Sequence, residues 1–382
     1  MGYVWDLNLF NYFTTKIVFL FLLIGSFNIY NQNKFLYTIY LLLIVFFYIP
    51  NSILFAFSNF PIGPFVSNVF FVSLFLLSPY IQFTIPNWSI PNKYKSIFLA
   101  SVVLLLLIPI ILAFGTNINL KTLLLSEVYE TRELFSEKLK GLLAYLYNIE
   151  AKTIIPVALV FFMMHKRHYF IAACIFMLLY LYVISGNKLV YFTSISVVFF
   201  FYVGRTYVSK LSNFFLVIIT AFILFPIIDT FILKTPLLAG TFVNRFLFIP
   251  ALLTQFYFDF FNNNPLYFAE SHFFKLFVNN PYDKQIGFIL ADVYWPSSGA
   301  YLNNGIVSDG FMNLNYWGVL LFSIAFTLLF SLFNSFKLDK GFYGIFFCYI
   351  YLFLSAPFLS LFITGGILIF IALSFTVLRQ TK

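Results

Sequence analysis

Apolar runs long enough to cross a lipid bilayer recur from one end of this chain to the other, and no other feature limits its fold as severely. A hydrocarbon core ~30 Å thick is crossed by about 17–25 apolar residues in helical form. Runs of this kind lie near 12–30, 35–57, 65–85, 97–114, 142–164, 169–185, 189–203, 212–232, 316–336, 341–357 and 359–378. They predict an all-α, polytopic integral membrane protein with about eleven transmembrane helices, forming a single transmembrane domain over residues 1–382. The residues are 62% apolar and only 9% charged, which leaves too little polar surface for a soluble fold. Pro50, Pro109, Pro156 and Pro226 fall inside or near the runs, as membrane helices tolerate when neighbours satisfy the freed carbonyl. Met1 to Tyr12 has no basic stretch and no small-residue cleavage site, so no removable signal peptide is expected and the first span directs insertion.

Orientation follows from the basic residues. One alternating set of junctions holds Lys34, Lys93, Lys95, Lys166, Arg167, Arg205, Lys210, Lys337, Lys340, Arg379 and Lys382, with Asp339 as its only acid. The other twelve acids fall in the opposite set of segments or at its helix ends. Short basic loops face the cytoplasm, which predicts an internal C-terminus and, with an odd span count, an external N-terminus.

Two external segments then stand out, 115–140 and 233–315. The second is too long for a connector, and loops of that size usually carry function. Within the first, Leu124, Val128, Phe135 and Leu139 alternate with charges, as in a helix lying along the membrane surface. Glu127, Glu130, Glu133 and Glu137 form its expected solvated face. In the second, Thr241 is a candidate cap for a helix through Phe261, with Pro250 as a kink or a second start. Asn279-Asn280-Pro281 and Pro296-Ser297-Ser298-Gly299 mark irregular loop.

Several charges then need a reason. Lys188 ends the tight turn Ser185-Gly186-Asn187-Lys188; it is either a cation pointing into an outer vestibule or an anchor snorkelling at the interface. Arg245 lies within Phe242-Val243-Asn244-Arg245-Phe246-Leu247-Phe248, where a lone desolvated guanidinium is costly. It either binds an anion, its fork matching phosphate oxygens, or pairs with Asp259, roughly 40° further round an ideal helix. Glu150 and Lys152 fall in the fifth run. At mid-membrane each costs roughly 2.5–3.5 kcal/mol, so they face a polar cavity or each other, unless the helix starts late and leaves both at the interface. Asp309, just before the ninth run, is either a general base or a cap.

Other chemistry is excluded or poorly supported. The net charge of +9 is scattered rather than striped, which argues against nucleic acid. Cys174 and Cys348 lie inside apolar runs without metal or disulfide spacing. His165 and His168 share a basic loop with Lys166 and Arg167, and His272 alone makes no zinc site. No phosphate-binding or dinucleotide motif is present, so neither metal nor cofactor is expected.

Taken together these features resemble the Wzy-type O-antigen polymerases, the oligosaccharide repeat-unit polymerases, over roughly residues 140–330. The Ser185-Gly186-Asn187-Lys188 turn looks like the family's Gly-x-Arg turn, with Lys188 where arginine is usual. The stretch Asn244-Arg245…Pro250…Tyr257-Phe258-Asp259-Phe260-Phe261 is similar to the arginine-bearing start of the family's large periplasmic loop. The stretch from Tyr301 to Gly318, ending in Asn315-Tyr316-Trp317-Gly318-Val319, resembles the family's small-residue entry into the next span. Lysine at 188 supplies a point charge without the bidentate fork.

The resemblance implies a metal-independent glycosyltransferase on the periplasmic face of a bacterial inner membrane. It would join undecaprenyl-diphosphate-linked oligosaccharide repeats during lipopolysaccharide biosynthesis, alongside membrane lipid and a polysaccharide chain-length regulator. Lys188 and Arg245, with Lys152, would hold the diphosphate as it leaves. Asp309 or Glu150 would deprotonate the acceptor hydroxyl. Tyr257, Tyr294, Trp295 and Tyr301 would offer faces to sugar rings. Two rivals stand beside this expectation. An O-antigen ligase shares the architecture and normally has an external histidine, for which His272 is the candidate. A non-enzymatic lipid-linked oligosaccharide flippase would have two similar halves and no dominant loop.

Overall fold

The computed structural model describes residues 5–58, 60–86, 88–115, 118–124, 128–203, 216, 219–220, 222–271, 274–296 and 298–379. Glu127, Arg205, Lys210, His272, Ser297, Lys382 and part of the expected 212–232 span lie outside these residues, and the side chains of Leu124, Val128, Lys188 and Thr241 are not described. Among the described residues the chain is all-helical. Its only extended pairing is an isolated bridge between Asp6 and Ser58.

In chain order the helices are α1 (Leu9–Gln32), α2 (Lys34–Phe57), α3 (Ile62–Tyr80), α4 (Asn92–Phe114), α5 (Val128–Lys138), α6 (Leu142–Met164), α7 (His168–Ser185), α8 (Lys188–Val203), α9 (Phe222–Leu233), α10 (Ala239–Phe248 running into Ile249–Phe260), α11 (Ile286–Tyr294), α12 (Ile306–Ser335), α13 (Lys340–Phe353) and α14 (Phe358–Leu378). Eight of them, α1–α4, α6, α7, α12 and α14, are long and apolar enough to cross a membrane. Shorter apolar helices at Phe192–Tyr202, Phe222–Leu233 and Lys340–Phe353 coincide with the expected seventh, eighth and tenth runs.

The exposed surface of α1 shows what solvent the fold is built for. Phe10, Phe13, Ile17, Leu20, Phe21, Ile24 and Phe27 are each more than half exposed and recur at helical spacing, so one whole face of the helix is apolar and uncovered. Water would drive such a stripe to aggregate; lipid tails do not. The protein is membrane-embedded. One residue separates α1 from α2. The backbone N–H of Asn33 donates to the Ile29 carbonyl, and its side-chain oxygen accepts the Leu36 N–H at 3.0 Å. It thereby stops one helix and caps the next.

Three prolines leave the same signature. Helical turns widen to the π form at Ile44–Tyr48, Glu150–Ile154 and Ala239–Phe248, each ending two residues before Pro50, Pro156 or Pro250. In each case the N–H just before the proline bonds five residues back: Ile49 to Ile44, Ile155 to Glu150 and Ile249 to Asn244. The cause is local. A proline has no N–H for the carbonyl four residues earlier and its ring pushes that carbonyl away. Widening the turn relieves the clash and keeps the backbone bonded. Such π turns are frequent at functional positions, and here they hold Glu150, Lys152 and Arg245.

The chain gathers into two compact units: Met1–Phe83, Ser212–Leu332 and Ile350–Phe358 in the first, and Thr84–Leu211, Phe333–Tyr349 and Leu359–Lys382 in the second. In the first, Phe326 packs its ring 4.9 Å from Phe71, 4.6 Å from Phe330 and 5.0 Å from Phe353. A sharp break divides α12 at Leu314 and Asn315, the latter at φ 52°. Across a straight helix Gly310 and Gly318 would stand about 12 Å apart. Instead a methyl group on Gly318 would lie 1.9 Å from the Gly310 carbonyl oxygen, so the break folds residues 306–313 back onto the head of the following span. In the second unit the Thr153 hydroxyl meets the Tyr349 hydroxyl at 2.7 Å and donates to the Gly365 carbonyl at 3.1 Å. Gly366, at φ 77°, leaves no room for a side chain against Thr153.

Candidate functional site

In the second unit the turn between α7 and α8 carries Lys188. Gly186 adopts φ 59°, ψ 17°, the left-handed conformation that ends helices and that glycine takes without penalty. Its N–H closes back on the Tyr182 carbonyl at 2.8 Å. The Ser185 hydroxyl accepts from the Asn187 N–H at 3.1 Å and from the Tyr147 hydroxyl at 2.6 Å. Arg132 of α5 donates from Nε to the Gly186 carbonyl at 2.9 Å. The turn that launches Lys188 is thus fixed from three sides.

Arg132 escaped the sequence reading, which treated α5 mainly as a solvated acidic face. Glu130, Glu133 and Glu137 are exposed as expected, while Phe135 is buried between Phe114 and Tyr147 with ring centroids 4.7 Å from each.

Glu150 lies three residues beyond Tyr147, on the same face of α6. It has no exposed surface, and neither carboxyl oxygen has a hydrogen-bond partner. Lys152 is half-buried; among the described residues it makes no ion pair with Glu150. Of the alternatives open in the sequence, mutual pairing is therefore not the one adopted, and Glu150 is inside the bundle rather than at an interface. A buried carboxyl without a partner is costly to keep, which marks the position as one held for a purpose other than packing.

The first unit holds Arg245, Asp309 and the aromatic candidates. α10 starts earlier than Thr241. Both oxygens of the Asp229 carboxylate accept from the helix start, from Leu238 N–H at 2.9 Å and Ala239 N–H at 2.6 Å, so Asp229 and not Thr241 is the cap. Arg245 is exposed and makes no hydrogen bond or ion pair among the described residues. Its guanidinium acts electrostatically on Tyr351, whose ring packs on Phe246 at 4.9 Å. The expected partner, Asp259, is engaged elsewhere: it accepts from the Tyr294 hydroxyl at 2.6 Å. Among the described residues the internal pair is thus absent, and the Arg245 guanidinium stays exposed.

Tyr294 and Trp295 come together on Phe256, the first stacked at 4.3 Å and 3°, the second edge-on at 5.8 Å. Both are half-buried, so each keeps an accessible portion. Burial, and then the Asp259 carboxylate, hold the Tyr294 phenol well above the ordinary tyrosine value. Tyr301 is 44% exposed and covers Gly287, where any side chain would collide with its ring. Tyr257 is different. It is 1% exposed and its hydroxyl donates to the Leu302 carbonyl at 2.9 Å, so no sugar can stack on it. The expected role at Tyr257 is withdrawn, because residue type alone does not tell a buried ring from an exposed one.

Asp309 is 3% exposed and fully bonded. One oxygen accepts from Asn304 at 3.2 Å and Asn313 at 3.0 Å; the other accepts from the Phe358 N–H at 2.7 Å. Asn313 in turn accepts from the Phe268 N–H at 2.8 Å. Of its two alternatives, cap and base, the geometry matches a clamp that ties a loop and a helix start together. As placed, its oxygens already accept three bonds, of the roughly four a carboxylate can take.

Among the described residues no group of three or more His, Cys, Asp or Glu side chains is arranged to hold a metal ion. Cys174 and Cys348 are buried free thiols. Comparison with protein families, with characterised proteins and with solved structures finds no match to this chain.

Proposed function

We propose that this protein is a Wzy-like O-antigen polymerase of a bacterial inner membrane, with eleven spans, its N-terminus outside and its C-terminus inside. Eight helices long enough to cross, with three shorter apolar helices beside them, support a count of that order. The observation that carries the reading is Arg245. An exposed arginine without a carboxylate partner among the described residues, in an apolar π turn at the head of the long 233–315 segment, suits an anionic ligand brought to a membrane surface.

In this reading the ligand at Arg245 is the diphosphate of an undecaprenyl-linked oligosaccharide, and Lys188 and Lys152 of the second unit are further candidate cations for a diphosphate. The acceptor hydroxyl of the next lipid-linked repeat attacks the anomeric carbon of the growing chain. The bond from that carbon to the phosphate oxygen breaks, and undecaprenyl diphosphate leaves with the electron pair. Fixed cations stabilise the charge that develops on it. Asp309 or Glu150 takes the hydroxyl proton; Glu150 has unengaged oxygens but no exposed surface, so it serves only where the bound acceptor reaches into the bundle. The half-buried faces of Tyr294 and Trp295 and the exposed Tyr301 position sugar rings. Membrane lipid and a chain-length regulator are the remaining partners.

Deleting the gene in the native host and resolving the surface glycolipid on a gel tests the reading. Loss of a polymerase leaves single repeats on the core. Polymer retained on its lipid carrier would indicate a ligase instead, and near absence of surface sugar a flippase.

A further inference from the structure

A cavity lies in another charged region of the second unit, away from the residues discussed above. It encloses about 800 Å³ and is lined by the head of α4, the α6–α7 turn and the end of α14. Lys93, Lys95, Arg167 and Arg379 face it together with His165, and no acidic side chain does. Most of these groups already have a local role. Arg379 donates from Nη1 to the Ile85 and Pro86 carbonyls at 3.2 and 2.9 Å. Lys93 rests over the Tyr94 ring, and His165 Nδ1 is 2.8 Å from the Phe161 carbonyl.

Lys95 has none. It is 6% exposed, and among the described residues its ammonium makes no hydrogen bond or ion pair. Arg167, exposed on the turn, also lacks a side-chain partner among them. A lysine nine-tenths buried without a counter-charge is unfavourable in the empty protein. An anion in the cavity would reverse that, since it would supply the missing acceptor in a site of reduced dielectric. The donor set suits a tetrahedral anion, with a point-charge ammonium from one wall and a guanidinium fork from another, and at about 800 Å³ the cavity has room for far more than the anion alone. Apolar Val377 and Leu378 beside Arg379 would accommodate an acyl chain.

We infer that the cavity bounded by Lys95, Arg167 and Arg379 binds a phosphate-class anion, either the head group of a membrane phospholipid or a free phosphate. This site does not depend on the polymerase reading. Full-length protein in detergent would be titrated with dioleoyl phosphatidic acid and, separately, with inorganic phosphate, and binding followed by thermal protection. Dioleoyl phosphatidylcholine, whose head group carries no net charge, serves as the control. The site predicts saturable protection by at least one phosphate probe, weakened about tenfold by Lys95→Met, as expected for loss of a charge-assisted contact. Protection by phosphatidic acid alone identifies a lipid head group; protection by inorganic phosphate identifies a free anion. Arg167→Gln, on an exposed turn, carries the same prediction should Lys95→Met fail to fold. The absence of protection by both probes, or equal protection of wild type and both variants, overturns the inference.

Discussion

The Arg132 guanidinium donates to the Gly186 carbonyl at 2.9 Å, which ties the short helix α5 to the turn that carries Lys188. Charge-assisted bonds of this kind contribute about 1.5–3 kcal/mol, enough to hold an eleven-residue helix that has few buried side chains of its own. Arg132→Gln is expected to raise amide hydrogen exchange throughout residues 128–138 and to lower polymer yield, while the spans keep their protection. Unchanged exchange in α5 would show that Phe135 and the Thr131 hydroxyl anchor it without Arg132.

Replacing Pro250 probes the origin of the π turn at Arg245. Alanine restores the missing N–H, and a helix interior favours alanine over proline by about 3 kcal/mol. The turn should tighten to α geometry and rotate Arg245 relative to Tyr294 and Trp295. Pro250→Ala is therefore expected to be as heat-stable as wild type or more so in detergent, yet to make short chains. A variant that is stable and fully active would separate Arg245 from the activity.

Gly318 and Gly240 make a matched pair. A methyl at 318 meets the Gly310 carbonyl oxygen at 1.9 Å, whereas one at 240 meets nothing within 4 Å. Overpacking typically costs about 1–3 kcal/mol and can exceed that where the backbone must move. Gly318→Ala should lower the detergent melting temperature and the folded yield sharply. Gly240→Ala should alter neither.

The Tyr294–Asp259 bond sets a pH dependence in the long segment. Burial and the adjacent carboxylate raise the folded-state pKa of the Tyr294 phenol above its ordinary value. For a raised pKa, the stabilising contribution is full below the unfolded phenol value and is lost as pH climbs through the folded one. The local structure should therefore hold through neutral pH and weaken only in strong alkali. Titrating phenolate absorbance in wild type and Tyr294→Phe checks this. A Tyr294 phenolate that appears at or below the ordinary tyrosine pKa would contradict it.

The eight long spans were legible because their signal is local: hydropathy over twenty residues decides whether a helix prefers lipid. The π turns were half legible. Pro50, Pro156 and Pro250 announce a disturbed helix, but not that all three resolve it with the same five-residue bond. The site was less readable wherever its partners are distant in sequence. Asp309 meets the Phe358 N–H, 49 residues away, and no spacing rule indicates that its carboxylate is already satisfied. Arg132 and Gly186 are 54 residues apart. Tyr257 and Tyr294 belong to the same residue class, and only packing separates the buried ring from the accessible one.

Fixed cations at a membrane surface are proposed to serve a lipid diphosphate donor. The most direct test is polymerisation by purified protein in liposomes supplied with undecaprenyl-diphosphate-linked repeat units. The account predicts a ladder of chain lengths with release of one undecaprenyl diphosphate per bond formed, lost in Arg245→Ala and Glu150→Gln. A wild-type protein that forms no chains longer than one repeat, or an Arg245→Ala ladder equal to that of wild type, would contradict it.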